Sequence, residues 1–247
     1  MNRRARITHS FNQASTTYNG ASELQIRAAQ SLATQVLRSD WDRPNVLELG
    51  CGTGGLTRLL LPRLPGNWII SDIAPAMLDT ARILFPITDA QFRVIDGEAP
   101  DLPIASLDLI VSNLAAQWFE DLPNALARLS CCLAPKGRLI ITTLGQVSLT
   151  EWRDAVAATG YKAGTPAYPT AQALSKTLPQ AQVGSQIITM IHDDAREFLK
   201  SLKAIGAVIP EKDYIPLPVS IMRQAMNHLG TPCQVSYEIL TLDWSKS

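Results

Sequence analysis

A glycine-rich turn is the segment whose residues most clearly indicate ligand binding. Residues 49–55, with the sequence LGCGTGG, follow a short apolar run. Gly50, Gly52 and Gly54 have no side chains, so a ligand can lie against main-chain N–H groups at the start of a helix. Gly50, Gly52 and Gly55 also match the G-x-G-x-x-G spacing of dinucleotide-binding turns. The turn therefore predicts a nucleoside or nucleotide site, and the glycines alone do not decide between ligands.

Acidic residues at the predicted strand ends narrow that choice. Glu48 precedes the first glycine by two residues, where a carboxylate would repel a pyrophosphate but can organise a cationic ligand. Asp72 follows about twenty residues later, where a carboxylate can accept hydrogen bonds from ribose hydroxyls of either ligand. Asp96, Gly97 and Glu98 end the third strand, where an acid could pair with an adenine amino group. Together they favour a nucleoside with a positively charged end, the methyl donor S-adenosylmethionine, over NAD.

Asn113 marks the end of the fourth predicted strand, directly after an apolar run. If the strand order reverses between the first and fourth strands, as in doubly wound sheets, Asn113 lies beside the glycine turn. The reactive methyl group is expected there. Structural interpretations stay open, because Asp72 can cap the helix that begins at Pro75 and Asn113 can simply terminate its strand.

Strand and helix patterns alternate along the chain and supply the scaffold for these residues. Strands are predicted at residues 46–49, 68–70, 92–95, 107–111, 138–141, 186–191 and 234–242. Helices are predicted at residues 22–37, 56–64, 75–85, 122–133, 151–159, 170–178 and 193–205. This order indicates an α/β fold whose parallel sheet is covered on both faces. We expect a single domain of residues 1–247, with an N-terminal helical arm (1–40), a donor-binding core (45–143) and a cap insertion (193–231).

The composition limits the classes of function. The 247 residues are 46% apolar and 18% charged with zero formal net charge, so a large core is available and no nucleic-acid partner is indicated. Polar residues follow the basic N-terminus where a signal peptide needs an apolar core, and no run reaches the ~20 apolar residues of a membrane span. The four cysteines include no Cys-x-x-Cys pair. We therefore predict a cytoplasmic protein with no membrane partner and no metal.

Three segments resemble the class I S-adenosylmethionine-dependent methyltransferases. Residues 48–54 (ELGCGTG) are similar to the first motif of that family, residues 72–78 (DIAPAML) to the second, and residues 133–139 (LAPKGRL) to the segment entering strand five. The resemblance implies a Rossmann-like sheet of seven strands, mostly parallel with the last antiparallel, and S-adenosyl-L-methionine as cofactor with S-adenosyl-L-homocysteine as product. The predicted donor site comprises Glu48, Gly50, Cys51, Gly52, Gly54, Asp72, Ile73, Met77, Asp96, Gly97, Glu98, Asn113 and Leu114.

A narrower resemblance extends over almost the full length. Residues 11–18 (FNQASTTY), 113–118 (NLAAQW), 142–144 (TTL) and 201–206 (SLKAIG) are similar to the malonyl-acyl-carrier-protein O-methyltransferases of biotin synthesis. The resemblance implies methylation of a free malonyl carboxylate, with an acyl carrier protein carrying malonyl, or malonyl-coenzyme A, as the partner. Ala204 departs from an expected glycine, and residues 160–184 carry no recognisable signature.

A malonyl carboxylate is ionised at neutral pH, so its methylation needs positioning rather than a general base. The substrate does need a cation, and Arg196, Lys200 and Lys203 form a basic stripe on one predicted helix. We assign them to carrier docking or to the malonyl carboxylate, with a solvated helix face as the alternative. Tyr18 is the predicted catalytic residue, because its hydroxyl could close over the donor or the carboxylate. Its alternative role is to anchor the N-terminal arm by packing.

Other functions stay open at this point. Within the same class, the acceptor could be another small carboxylic acid or a quinone precursor, and buried neutral groups around the acceptor would favour the quinone. From different classes, an NAD-dependent oxidoreductase and a donor-binding protein without catalysis remain. The spacing of the glycines is compatible with the oxidoreductase.

Overall fold

Seven strands form one sheet, which carries the glycine turn at its centre. The computed structural model describes residues 2–86, 88–207, 209–211 and 213–247, so Val208 and Lys212 of the predicted cap insertion lie outside the described residues. The strands are β1 (Asn45–Leu49), β2 (Asn67–Asp72), β3 (Gln91–Val94), β4 (Leu107–Ser112), β5 (Leu133–Leu144), β6 (Gln182–His192) and β7 (Cys233–Ser245). The helices are α1 (Arg3–Ala14), α2 (Glu23–Val36), α3 (Thr57–Leu60), α4 (Pro75–Leu84), α5 (Leu122–Cys132), α6 (Thr150–Ala157), α7 (Ala171–Ser175), α8 (Ala195–Ala204) and α9 (Val219–Leu229).

The strand order confirms the predicted fold class. The sheet runs β3-β2-β1-β4-β5-β7-β6, and β1 pairs in parallel with both β2 and β4. The order of the strands therefore reverses at β1, which brings the carboxyl ends of β1, β2 and β4 to one edge. β7 pairs antiparallel with both β5 and β6, so the last strand alone runs against the others.

Helices cover both faces of the sheet because neighbouring strand residues point to opposite sides. Val46 packs on one face with Leu60 and Trp68, whereas Leu47 packs on the other with Leu126. All five side chains are almost completely buried. This two-sided burial explains why β1 reads as a nearly continuous apolar run.

Two helices were not predicted from the sequence. The polar composition of α1 hid an apolar stripe of Ile7, Phe11 and Ala14 at helical spacing. In α9 Ala225 is completely buried, and Met222 and Leu229 pack against the same core cluster. Both α8 and α9 lie between β6 and β7, in the segment predicted as an insertion.

Helix α1 connects the glycine-turn side of the sheet to this insertion. The Ser10 hydroxyl donates to the Gly206 carbonyl at 2.9 Å, and the Thr17 hydroxyl donates to the Ala204 carbonyl at 2.8 Å. On the opposite side, the Asn12 side-chain oxygen accepts a hydrogen bond from the Ala76 amide at the start of α4. The N-terminal arm is therefore fixed from two directions.

Two further features concern the described part of the chain only. No helix in it is long and apolar enough to cross a membrane. Nor does it contain three or more His, Cys, Asp or Glu side chains grouped to hold a metal ion.

We predict that Gly206→Ala loosens α1. Gly206 has φ +76°, and a Cβ there would lie 3.2 Å from the Ser10 carbonyl oxygen and from the Phe11 ring. Gly160→Ala is the matched control, because Gly160 has φ +82° with no atom within 4 Å of an added Cβ. Both variants should lose about 1 kcal/mol or more from left-handed strain, but only Gly206→Ala should accelerate amide hydrogen exchange in α1. Equal exchange rates in the two variants would contradict this docking.

Candidate active site

A cavity lies at the carboxyl ends of β1, β2 and β4, against the glycine turn; we call it the turn cavity. It encloses about 760 Å³ of empty space, including the part open to solvent. Ten of the thirteen predicted donor-site residues line it: Gly50, Gly52, Asp72, Ile73, Met77, Asp96, Gly97, Glu98, Asn113 and Leu114. The exceptions are Glu48, Cys51 and Gly54.

The glycines of the turn have distinct roles. Gly50 (φ +70°) is required by packing, because a Cβ there would lie 2.4 Å from the Cβ of Ala115. Gly52 (φ +54°) faces Tyr18, whose ring would lie 3.7 Å from an added Cβ, so the missing side chain leaves room between the turn and that ring. Gly54 instead contacts Phe85, 2.6 Å from where its Cβ would be, and so serves packing rather than the cavity.

Asp72 holds the turn in place from the end of β2. Its Oδ2 accepts a hydrogen bond from the Gly52 amide at 2.9 Å, and its Oδ1 accepts one from the Ala74 amide at 2.8 Å. Burial raises the pKa of this carboxyl above its ordinary value, and these amide hydrogen bonds oppose that shift. Each oxygen keeps a second lone pair for a ribose hydroxyl. The Asp72 side chain can therefore hold the turn and bind a ligand at the same time.

The acids after β3 meet a partner from α1. Arg4 Nη1 lies 2.7 Å from Asp96 Oδ2, and Arg4 Nη2 lies 3.9 Å from Glu98 Oε2. Glu98 Oε1 also accepts hydrogen bonds from the amides of Glu120 and Asp121, so it fixes the loop before α5. Asp96 therefore stands at the mouth of the turn cavity, under the N-terminal helix.

Asn113 is fixed between two elements. Its side-chain amide donates to the Gln25 carbonyl at 3.0 Å, and its Oδ1 accepts a hydrogen bond from the Thr142 hydroxyl at 3.0 Å. It ends β4 as the structural interpretation requires and also lines the turn cavity. The two interpretations are therefore not exclusive.

Glu48 and Cys51 line a neighbouring cavity behind the turn, which they share with Tyr18 and Asn113. The Glu48 side chain is buried and its Oε2 accepts a hydrogen bond from the Thr57 hydroxyl at 2.7 Å. Burial raises the pKa of Glu48 to about 7, although the Thr57 hydrogen bond opposes the shift. With this pKa, small changes in pH near neutrality alter the charge of the Glu48 carboxyl.

Several lining residues were not assigned to the site from the sequence. Arg4, Ile7 and Phe11 come from α1, and Trp118 and Phe119 come from the turn after β4. The spacing of Ile7, Phe11 and Ala14 is the signal that could have revealed α1 as an amphipathic helix. Nothing local could have shown which surface that helix covers.

A second cavity, the aromatic cavity, adjoins the turn cavity. Phe11, Tyr18, Leu114 and Trp118 line both cavities. The other aromatic members of the second cavity are Trp152, Tyr168, Tyr214 and Tyr237. A ligand in one cavity can therefore meet a ligand in the other at the four shared residues.

The predicted cationic stripe lies elsewhere. Leu202 and Ile205 at the end of α8 line the aromatic cavity. Arg196, Lys200 and Lys203 are exposed and line neither cavity. Among the described residues, the side chains that line the aromatic cavity are neutral, so the structure does not bring the stripe to the acceptor space.

Tyr18 occupies the junction of the two cavities. Its ring is half-buried, and its hydroxyl makes no hydrogen bond to any of the described residues. Burial, with a smaller effect of the Asp72 charge, raises its pKa well above the ordinary value of 10. The hydroxyl is thus a protonated hydrogen-bond donor at neutral pH.

Comparison with known proteins identifies the family. A methyltransferase-domain model matches residues 46–137. The biotin biosynthesis bifunctional protein BioCD of Bordetella avium is 37% identical over 97% of this chain, which spans 52% of that protein. The malonyl-[acyl-carrier protein] O-methyltransferase of Magnetococcus marinus is 35% identical over 91% of this chain and 85% of its own length. The chain belongs to the malonyl-[acyl-carrier protein] O-methyltransferase family.

The fold agrees with this assignment. The YcgJ protein of Bacillus subtilis superposes with a TM-score of 0.65 over 88% of this chain and 98% of its own, at 16% identity. Membership confirms the methyltransferase class predicted from the motifs and excludes the oxidoreductase that the glycine spacing left open. This chain spans about half the length of the bifunctional relative.

We predict that Glu48 makes stability fall as the pH rises. Its pKa is raised from 4.5 to about 7, so its contribution is fully present below about pH 4.5 and is lost as the pH rises through about 7. The free energy of unfolding without ligand should decrease less over this range in Glu48→Gln than in the unmodified protein. Chemical denaturation at several pH values measures this, with the exposed Glu23→Gln as control. Identical pH dependence of Glu48→Gln and the unmodified protein would refute the assignment.

Proposed function

We propose that the protein transfers a methyl group from S-adenosylmethionine to the free carboxylate of a malonyl group on an acyl carrier protein. The products are the malonyl methyl ester, used in biotin synthesis, and S-adenosylhomocysteine. The observation that carries the proposal is the junction at Tyr18, Phe11, Leu114 and Trp118, where two cavities meet. The names of the relatives supply the acceptor.

The turn cavity fits the donor by its chemistry. Asp72 would accept hydrogen bonds from the ribose hydroxyls and Asp96 from the adenine amino group, while Ile73 and Met77 offer apolar walls. Glu48 and Asn113 would organise the charged methionine end. When bound, S-adenosylmethionine would supply an electrophilic methyl group on a sulfonium, open to in-line attack by a carboxylate oxygen with the thioether sulfur of S-adenosylhomocysteine as the leaving group. Tyr18 stands at the junction and would orient that oxygen by donating its hydroxyl proton in a hydrogen bond.

The aromatic cavity would remove water from the acceptor and orient it. Its walls carry apolar and aromatic side chains, so a carboxylate entering it loses hydration and becomes more reactive toward a cation. The buried Oε1 atoms of Gln25 and Gln117 line this cavity and have no hydrogen-bond partner among the described residues. A pantetheine arm carries amide N–H groups that could satisfy them. No proton needs to move during the transfer.

The basic stripe of Arg196, Lys200 and Lys203 would bind the carrier rather than the malonyl group. The three side chains are exposed on α8, while the end of the same helix contributes Leu202 and Ile205 to the aromatic cavity. A docked acidic carrier would therefore lie within one helix of the acceptor space. Malonyl-coenzyme A presents the same acyl group without a protein surface. It therefore separates binding of the malonyl group from docking of the carrier.

Methylation of a quinone precursor is a second candidate, and one observation favours it. The described lining of the aromatic cavity is neutral and rich in Tyr and Trp side chains, which suits a planar neutral ring. The relatives favour the malonyl carrier. A direct test of acceptors decides between them.

We expect mass spectrometry to show one added methyl group on malonyl-acyl carrier protein incubated with the protein and S-adenosylmethionine. Acetyl-acyl carrier protein is the matched control, because it lacks only the free carboxylate. Methylation of both carriers would show that the methyl group is not added to the malonyl carboxylate, which would contradict the proposal. Methylation of neither, together with turnover of a quinone precursor, would overturn the proposal.

We predict that the triple variant Arg196→Ala, Lys200→Ala, Lys203→Ala raises the KM for malonyl-acyl carrier protein at least severalfold, because exposed charges steer association. Donor affinity and the KM for malonyl-coenzyme A should stay unchanged, since the stripe lines neither cavity. The control is Arg38→Ala, Arg63→Ala, Lys176→Ala, which removes the same charge from other exposed positions. An unchanged KM for the carrier would sink the docking assignment.

A further inference from the structure

The aromatic cavity contains a tyrosine whose hydroxyl has no partner in the protein. Tyr168 lines the cavity, and its hydroxyl makes no hydrogen bond to any of the described residues. Gln117 and Tyr168 also line a more open neighbouring cavity, which places Tyr168 beside the turn that carries the junction residue Trp118. The hydroxyl is therefore available to a ligand in the aromatic cavity.

The half-buried guanidinium of Arg153 is on α6, whose residue Trp152 lines the same cavity. Arg153 follows the cavity residue Trp152 on α6 and lies four residues after Leu149, which also lines the cavity. Its side chain is half-buried, and its Nη2 donates to the Thr150 hydroxyl at 2.9 Å. Within the described residues it forms no ion pair. Most of its donors thus remain available.

The positive charge acts at the tyrosine hydroxyl. Burial raises the pKa of Tyr168 to about 12, while the charge of Arg153, and to a smaller degree that of Arg3, opposes the increase. Arg3 donates to the carbonyl of Pro210, another residue that lines the cavity. Two positive charges therefore act on Tyr168, while the Glu151 carboxylate, which is two residues before Arg153, acts on Tyr237 in the same cavity.

We infer that Tyr168 and Arg153 form the subsite that recognises the free carboxylate of the acceptor, an inference that rests on the proposed function. Tyr168 would donate its hydroxyl to one carboxylate oxygen, and Arg153 would supply the opposite charge. Neither residue belongs to the predicted site. This subsite would admit an acyl group with a terminal carboxylate and disfavour the acetyl and methyl-ester forms, which lack the charge.

Isothermal titration in the presence of S-adenosylhomocysteine tests the subsite without turnover. The ligands are malonyl-pantetheine and its methyl ester, which differ by the carboxylate charge. Arg153→Gln should raise the Kd of malonyl-pantetheine about tenfold, and Tyr168→Phe about threefold. Both variants should bind the methyl ester as the unmodified protein does. Arg153→Lys should restore part of the lost affinity, because it keeps the charge but not the planar fork.

Two control variants separate recognition from general disturbance. Tyr161→Phe changes an exposed tyrosine in the loop between α6 and α7, which also contains Tyr168. Arg223→Gln changes an exposed arginine on α9, which packs on α6. Both should leave the Kd of either ligand unchanged. Equal weakening of acid and ester in Arg153→Gln would show a merely structural role and overturn the inference. So would a larger, acid-specific loss in Lys212→Gln, whose position lies outside the described residues.

The outcomes for the inference and for the proposed function are distinct. If the unmodified protein methylates malonyl-acyl carrier protein while Arg153→Gln and Tyr168→Phe bind malonyl-pantetheine normally, only the subsite is wrong. If the unmodified protein neither methylates the carrier nor binds malonyl-pantetheine, the proposed function fails.

Discussion

The hydrogen bonds of the Asp72 carboxylate hold the glycine turn against the end of β2, and that turn forms one wall of the turn cavity. A buried carboxylate is unfavourable, as its raised pKa shows, and the amides of Gly52 and Ala74 offset only part of the penalty. With Asp72 in place, Gly52 stays close to Tyr18 and the junction of the cavities is defined. The protein thus retains an electrostatically unfavourable group where it positions a ligand.

Helix α1 contributes side chains to both cavities. Ile7 and Arg4 face the turn cavity, Phe11 lines both cavities, and the hydroxyls of Ser10 and Thr17 bind the carbonyls at the end of α8. A movement of α1 would therefore change the donor space and the acceptor space together. Packed helices transmit such displacements because protein interiors have few voids.

The features of the fold and the site that could be predicted from the sequence are those whose signal lies within a few neighbouring residues. The strands, the turn and the lining positions of Asp72, Asp96 and Asn113 follow from apolar runs and from residues at strand ends, which any parallel sheet brings to one edge. Gly54, predicted as a donor contact, does not line the turn cavity, and its missing side chain accommodates Phe85.

Residues that meet only through tertiary packing gave no local signal. Arg4 and Asp96 are far apart in the sequence and meet only in the folded protein, and Tyr168 lies in a loop without a recognisable motif. Arg196, Lys200 and Lys203, predicted to bind the carrier or the malonyl carboxylate, line neither cavity. Helical spacing placed them on one stripe of α8, but it could not show which cavity the apolar face of that helix would line.

The proposed subsite, a tyrosine hydroxyl with a guanidinium nearby, would suit methyl transfer to a carboxylate better than a direct ion pair. A carboxylate held in a bidentate pair with arginine is strongly stabilised before it reacts, and that interaction weakens as its charge is lost. Such stabilisation of the ground state raises the barrier. A tyrosine hydroxyl orients the oxygen with a weaker bond, while a guanidinium nearby attracts the charge into the cavity. Once the ester has formed, the negative charge that the guanidinium attracts is gone, so the arrangement proposed to admit the acid would retain the product less firmly.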